Sequence, residues 1–492
     1  MEAFIQAIGL ITTPQTLVAI AISCTFGLFV GAIPGLSATM ATALLVPFTF
    51  YLDPIPAIAT VIACTTMAIT AGDIPAVMLR IPGTPSSAAY AEEAYAMTRK
   101  GQGSLAMGTL LVSACIGGFI GFIVLALVAP MLAKVALRFS SFEYFWLAAL
   151  GLSCAALVSG GGMIKSVIAL LTGLAAATVG MDPLTATPRF TFGVTELSGG
   201  LSFVPAMIGL FAVGELMRGD ADVRAASGGL VGGVFKGVGS TLSKYRYSLF
   251  RGAGFGTLIG ALPGAGGDLG AWIAYAFSKR FSRTPERYGK GHPEGLVEAG
   301  ACNNAALCSA WIPAMVFGIP GDAVTAIAVG VLFMKGLNPG PQLMTENVQN
   351  FYAVMLIFVI ANALIIPLGW LAIRTARRLF SVPRHYLAGV ILIFSIVGSY
   401  AAVNSLFGIV VMAGFGVLAW WFGKAGIPIA PVILGMVMGP LVEQNFLTSM
   451  IISRGNFLGF FERPISATLG VMFIAIWLVP LAIKLTRRLR AP

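Results

Sequence analysis

The residues that could do chemistry cluster around two short motifs, and each motif occurs twice. Gly31-Ala-Ile-Pro-Gly35 recurs as Gly260-Ala-Leu-Pro-Gly264, and Ile74-Pro-Ala-Val-Met-Leu-Arg-Ile-Pro-Gly83 recurs as Ile312-Pro-Ala-Met-Val-Phe-Gly-Ile-Pro-Gly321. The first pair is offset by 229 positions and the second by 238, the nine extra residues falling in a charged insertion around 279–298. One Gly-x-x-Pro-Gly match would mean little in a chain with 60 glycines. Two motifs in the same order at nearly one offset mark two homologous halves. Proline removes a backbone donor and glycine opens left-handed geometry, so each motif should break a helix. Inside a bilayer a break exposes N–H and C=O groups that lipid cannot satisfy, unless they line a cavity or bind something. The N-terminal end of each half-helix carries partial positive charge and is a ready anion site. Paired breaks at corresponding positions point to a transporter's binding site.

Glycine, hydroxyl and amide residues gather at these breaks. The candidate solute-binding residues are Gly35, Ser37 and Thr39 at the first break, and Gly83, Thr84 and Ser86 at the second. Gly264, Gly266 and Gly267 mark the third, and Gly321 and Thr325 the fourth, preceded by Asn303 and Asn304. Together they would form a donor-rich chamber for a carboxylate-like solute. Gly and Pro can also serve only packing and kinks in membranes, but four breaks in two matched pairs favour a site. Asp73, Asp268 and Asp322 lie beside the breaks. A carboxylate at bilayer depth is expensive and points to function, here binding a coupling Na+ or carrying a proton. Helix capping is the structural alternative. Glu215 and Glu443 sit near helix ends and read as interfacial.

The elements that must position these residues are transmembrane helices. The chain has 492 residues, of which 58% are hydrophobic and only 10% charged, whereas soluble proteins carry about 25% charged residues. A crossing needs about 20 apolar residues, and 15–33, 54–79, 105–135, 141–158, 163–180, 199–217, 350–373, 386–402, 405–423, 427–441 and 464–483 qualify. The stretches 37–50, 249–262, 266–278, 299–318 and 323–336 are too short or are cut by Pro-Gly, and read as half-helices or re-entrant hairpins. The reading is therefore an all-α polytopic membrane protein of two homologous, inverted repeats. Residues 1–217 form the first repeat, 218–248 a Gly- and charge-rich linker, and 249–492 the second. The net charge of +11 is carried by clusters at 279–290, 374–384 and 484–490. These read as cytoplasmic anchors rather than a nucleic-acid surface.

Enzymatic chemistry has little to work with. His292 and His385 sit in basic loops far apart in sequence, and the six cysteines form no CxxC or Cys/His metal spacing. Gly160-Gly-Gly-Met-Ile-Lys-Ser166 mimics a phosphate-binding loop but has Ile164 where glycine is required before Lys165. No cofactor is expected beyond a coupling ion. A passive anion channel is the nearer rival, since broken helices also build filters.

The motifs also carry a family resemblance. Gly31-Ala-Ile-Pro-Gly35, Ile81-Pro-Gly-Thr-Pro85, Leu262-Pro-Gly-Ala-Gly-Gly267, Asn303-Asn304, Gly318-Ile-Pro-Gly321, Gly336-Leu-Asn-Pro-Gly-Pro341 and Gly439-Pro-Leu-Val-Glu443 resemble the large permease subunit of tripartite tricarboxylate transporters, TctA. The resemblance runs over nearly the whole chain. It implies a multi-pass protein of the bacterial inner membrane, importing a di- or tricarboxylate on an ion gradient rather than ATP. It further implies a small TctB-like membrane subunit and a TctC-like periplasmic solute-binding protein as partners.

Overall fold

The computed structural model describes residues 2–33, 36–158, 162–182, 185–218, 233–264, 266–344, 347–379 and 384–489. Pro34, Gly35 and residues 219–232 of the expected linker lie outside them. The first half runs through α1 (Glu2–Ile11), α2 (Pro14–Ala32), α3 (Ala38–Thr49), α4 (Pro54–Ala71), α5 (Asp73–Leu79), α6 (Ala91–Arg99), α7 (Gly103–Ala136), α8 (Ser141–Val158) and α9 (Met163–Ala177). A two-residue antiparallel pair, β1 (Gly180–Met181) with β2 (Pro188–Arg189), leads to α10 (Phe203–Ile208) and α11 (Gly214–Arg218). The second half contains α12 (Val238–Lys244), α13 (Arg246–Gly260), α14 (Gly266–Phe281), α15 (Pro293–Ser309), α16 (Trp311–Phe317) and α17 (Ala323–Met334). It ends with α18 (Val348–Leu379), α19 (Arg384–Val403), α20 (Leu406–Ala425), α21 (Ala430–Ile452) and α22 (Pro464–Leu489).

The fold is all-α, and six helices among the described residues are long and apolar enough to cross a membrane. The helices break where the Gly-Pro motifs fall. Helix α2 ends at Ala32 and α3 starts at Ala38; α13 ends at Gly260 and α14 starts at Gly266. At about 1.5 Å per residue, the 12 residues of α3 and of α17 span about 18 Å each, well short of the roughly 30 Å hydrocarbon core. The second break in each half begins with a left-handed residue, Arg80 (φ 59°) after α5 and Gly318 (φ 69°) after α16. They are matched positions, 238 apart. The arginine accepts geometry that a side chain resists by roughly 1–2 kcal/mol.

Two central helices hold the breaks in place. In α15 every side chain from Glu294 to Ser309 is buried, and α4 is nearly as enclosed. Each is gripped by a glycine face of the helix two before it, α4 by α2 and α15 by α13. A Cβ on Gly27 would lie 2.3 Å from the Cys64 carbonyl oxygen, and one on Gly31 would lie 2.2 Å from that of Ala68. In the second half, Gly256 stands 2.3 Å from the Cys302 carbonyl oxygen and Gly260 stands 2.4 Å from that of Ala306. These pairs obey the same offsets of 229 and 238 as the motifs. Helix α7 grips α15 from another side, with Gly117 against the Ala301 carbonyl and Gly121 against that of Ala305. Without a hydrophobic drive between helices in lipid, such close backbone approach is what associates them.

Polar clasps join the halves. Glu93 of α6, wholly buried, accepts from Tyr275 Oη at 2.9 Å and from the backbone N–H groups of Gly289 and His292. The charged insertion is thus folded onto the first half, and burial pushes the His292 imidazole below its ordinary pKa. From the other direction, Lys335 Nζ donates to the Phe50 carbonyl at 2.9 Å. Glu443, expected to be interfacial, accepts a bidentate pair from Arg189, and Glu215 pairs with Arg218. All six cysteines are free.

The glycine grip sets a direct test. Gly252 of α13 faces the Glu298 carbonyl with only 2.1 Å for a Cβ, whereas Gly254 has nothing within 4 Å. Gly252→Ala should destabilise the purified protein by about 1–3 kcal/mol through overpacking. Gly254→Ala should be neutral or stabilising, by up to about 1 kcal/mol of helix propensity. Thermal unfolding in detergent checks both.

Candidate functional site

The breaks converge. The N-terminal ends of α3, α14 and α17 and the turn after α5 surround one cavity of about 80 Å³, several times the space that one water needs. Its walls come from both halves in matched pairs. Ala38 faces it with Gly267, Thr39 with Asp268, Ile69 with Leu307, and Thr84 with Asp322. The first two pairs are 229 apart and the last two 238 apart. Ser37, Pro85, Asn303 and Val324 complete the lining.

Local folding explains how each polar group is presented. Ser37 is the N-cap of α3, its Oγ accepting from Met40 N at 3.1 Å, which leaves its hydroxyl proton to donate elsewhere. One residue into that helix stands Thr39, whose hydroxyl has no protein partner among the described residues. Thr84 begins a hydroxyl turn: its N–H donates to Ser87 Oγ at 3.1 Å, and its Oγ1 meets Ser86 Oγ at 3.0 Å. Asp322 caps α17 in a capping box, accepting from Thr325 N at 2.7 Å and from Thr325 Oγ1 at 2.8 Å. Asp268 lies in the first turn of α14, beside Ser86. Asn303, on α15, is 4% exposed; Tyr90 is its neighbour on one side and Gly267 on the other.

Of the residues singled out in the sequence, seven meet at the cavity: Ser37, Thr39, Thr84, Gly267, Asp268, Asn303 and Asp322. Thr325 stands one layer behind, holding Asp322, and Ser86 lies beside Asp268. Gly83 and Gly321 shape the turns rather than touch the cavity. A Cβ on Gly83 would lie 2.6 Å from Gly72 Cα, and one on Gly321 would lie 2.9 Å from Ala310 Cβ, again matched positions. Gly264 (φ 80°) seats the α13–α14 hairpin tip against Ala155 and Gly151 of α8, and Gly266 (φ 67°) lies against Asp322. Asn304 is fully buried and reaches Thr70 Oγ1 at 3.4 Å, away from the cavity. Asp73 is also apart from it, 1% exposed, and accepts from Tyr90 Oη at 2.6 Å. Gly35 lies outside the described residues. The apolar lining, Ile69, Leu307, Val324 and Pro85, was missed. The repeat offset would have paired Ile69 with Leu307, but an apolar residue in an apolar span carries no signal of its own.

The arrangement offers main-chain N–H groups, hydroxyls, one amide and two carboxylates around a space with apolar ends. Among the described residues no basic side chain lines it. Among the described residues no group of three or more His, Cys, Asp or Glu could hold a metal ion. Nothing there resembles a nucleophile with its base. The geometry is that of a place to hold a solute.

Comparison with known proteins agrees. An uncharacterized 52.8 kDa protein encoded in the TAR-I ttuC' 3' region of Agrobacterium vitis is 32% identical over 476 residues, covering 95% of this chain and 94% of that one. An uncharacterized protein of the TAR-II ttuC' 3' region of the same organism is 33% identical over 228 residues, 46% of this chain and 94% of that one. No solved structure matches. The sequence profile of the tripartite tricarboxylate transporter TctA family, a family of transporters rather than enzymes, matches residues 17–434. With that match over most of its length, and with the multi-pass helical fold described above, the chain belongs to the tripartite tricarboxylate transporter TctA family.

Proposed function

We propose that the chain is the permease subunit of a secondary active importer, and that its cargo is a small carboxylate bound in the cavity between the broken helices. The observation that carries this is the meeting of half-helix ends from both halves at one polar space. A carboxylate fits there because neutral donors converge on it: the Ser37 hydroxyl, the Thr39 hydroxyl and the main-chain N–H groups at the start of α3. These act where water is scarce, so each is worth more than it would be at a surface.

The rest of the mechanism follows from the duplicated architecture. If the basic loops face the cytoplasm, the α2–α3 hairpin enters from the periplasmic side and the α13–α14 hairpin from the cytoplasmic side, an inverted relation. Alternating access then moves the hairpins against the α4–α5 and α15–α16 columns, exposing the cavity to each side in turn. Transport is driven by a Na+ or H+ gradient, with Asp73, Asp268 and Asp322 as the groups able to bind the ion or proton. A small membrane subunit and a periplasmic binding protein complete the system in the bacterial inner membrane.

Two measurements test this reading. Gly83→Val and Gly321→Val insert side chains where 2.6–2.9 Å is available and should reduce uptake of radiolabelled dicarboxylate by about 100-fold or more, since misplacing a binding group by roughly 1 Å has that scale of effect. Membrane abundance should change little; normal uptake in both variants refutes the site. Uptake by the intact protein should saturate with cargo and collapse when an ionophore dissipates the ion gradient. Linear, ionophore-insensitive flux would identify a channel instead.

A further inference from the structure

The base of the α13–α14 hairpin sorts its charges by sign. The two helices have 15 and 16 residues, which at about 1.5 Å per residue is short of the roughly 30 Å hydrocarbon core. The tip therefore lies at cavity depth while both ends of the hairpin emerge at one membrane surface. A single carboxylate joins those ends: Ser248 of α13 and Ser282, just past α14, donate to the two oxygens of Glu294 at 2.9 and 2.6 Å. Arg251, stacked over Phe281 at 5.5 Å, donates to Glu298 at 2.7 Å. Two of the three acids between 279 and 298 are thus buried and turned inward. The cations do the opposite. Residues 279–290 carry five lysines and arginines, and Lys244 and Arg246 flank the start of α13; all are exposed. None of these cations is in an ion pair among the described residues.

The fold itself does not call for them. The α2–α3 hairpin of the first half follows the same backbone plan, yet no lysine or arginine precedes Arg80 in the chain. Leu17 stands at the position matched to Arg246, 229 residues earlier, and α3 is followed by Phe50, Tyr51 and Leu52. Arg246 even opens α13, where the helix dipole disfavours positive charge. Away from the cations the outer face of the hairpin is apolar, with Phe250, Leu258 and Trp272 exposed. At the boundary the exposed Tyr247 ring lies under the Arg246 guanidinium at 5.1 Å. A cation beside an aromatic ring at the edge of an apolar face suits the headgroup layer of a membrane.

We propose that the base of the α13–α14 hairpin is a binding surface for anionic phospholipids, whose phosphates supply the counter-charge that the chain keeps inside. The headgroup rests among Arg246, Lys279, Arg280 and Arg283, and the acyl chains follow Phe250, Leu258 and Trp272. Charge and apolar surface together select this occupant. A soluble acidic partner matches the cations but not the apolar stripe continuous with them, whereas an amphiphile with an anionic head matches both. A topological anchor needs only net positive charge on one side of the membrane; a lipid surface discriminates between headgroups. Each cation near an anionic surface is worth about fivefold in affinity. The same hairpin carries Gly267 and Asp268 to the cavity, so lipid at its base holds the element that forms one wall of that space.

The test is lipid binding to the purified full-length protein in a neutral detergent, read by native mass spectrometry and thermal shift. The probes are phosphatidylglycerol, phosphatidylcholine and inorganic phosphate. Phosphatidylglycerol should bind about tenfold or more tightly than phosphatidylcholine, and raised salt should narrow the difference. Combining Lys279→Gln, Arg280→Gln and Arg283→Gln should weaken phosphatidylglycerol binding by about tenfold or more, at roughly fivefold per cation. Phosphatidylcholine binding and the lipid-free melting temperature should stay near those of the wild type, because these side chains make no ion pair within the chain. Lys134→Gln is the control. Helix α7 begins beside the insertion, where Lys100 donates to the Lys290 carbonyl, and its 34 residues carry the exposed Lys134 to the far end; this variant should keep the full preference. Equal affinity of the wild type for the two lipids overturns the proposal. So does a preference that survives the triple substitution, or one lost equally in Lys134→Gln. Equal stabilisation by inorganic phosphate at the same concentration identifies a free-anion site and overturns the lipid as its occupant. The wild-type comparison of the two lipids decides the matter even where the triple variant misfolds.

Discussion

A helix that ends inside a bilayer must hide its unpaired backbone groups, and this fold meets that demand by packing backbone directly against backbone. The site depends on it. Gly31 shows how closely support and site are joined. It packs against the Ala68 carbonyl on the central helix α4, while its own carbonyl oxygen lies 3.0 Å from the Cβ position of Gly83. Gly83 in turn donates its N–H to the Gly72 carbonyl at 3.1 Å. Three glycines thus bring the end of α2, the junction of α4 with α5 and the turn before Thr84 into one place. A side chain on Gly31 or Gly83 would separate the two breaks that must meet for the first half to contribute a wall. In the second half Gly260 packs against the Ala306 carbonyl and Gly321 against Ala310, an alanine where the first half has Gly72.

Much of this was legible in the sequence, and physical reasons separate what was from what was not. The spans and breaks could be read because apolar length and Gly-Pro interruption are local properties. The candidate residues could be read because polar side chains at bilayer depth are rare enough to stand out. Sequence could not tell which of them share a space. Asn303 and Asn304 are adjacent in the chain, yet α15 turns one to the cavity and the other to Thr70. Asp73, Asp268 and Asp322 look alike beside their breaks, but a helical turn and Tyr90 keep the first apart. His292 and Glu93 were unremarkable as loop and helix residues 199 positions apart, because the clasp they form exists only once the halves have met.

The polar clasps also bear on motion. Glu93 reaches from the first half to the charged insertion of the second, and Lys335 reaches from the second half to Phe50 of the first. At each clasp a side chain meets a main-chain group, so the contacts fix loop positions rather than merely pairing charges. The charged insertion around 279–298 is what supplies the Gly289 and His292 N–H groups.

Comparing the halves with each other separates scaffold from chemistry more sharply than either half alone. Where backbone geometry decides, the halves agree: Gly27 with Gly256, Gly31 with Gly260, Gly83 with Gly321. A tolerated exception is Arg80, which holds a left-handed conformation where the second half uses Gly318. Where side chains face the cavity, the halves diverge, threonine against aspartate at both Thr39/Asp268 and Thr84/Asp322. A capping carboxylate alone would not explain that pattern, because serine already caps α3 adequately and threonine or serine would cap α17 almost as well as aspartate. Two substitutions that each place negative charge in one cavity, on the same half, act together on whatever occupies it. The matched glycines shape the two sides of the container alike, and the two carboxylates make those sides unlike.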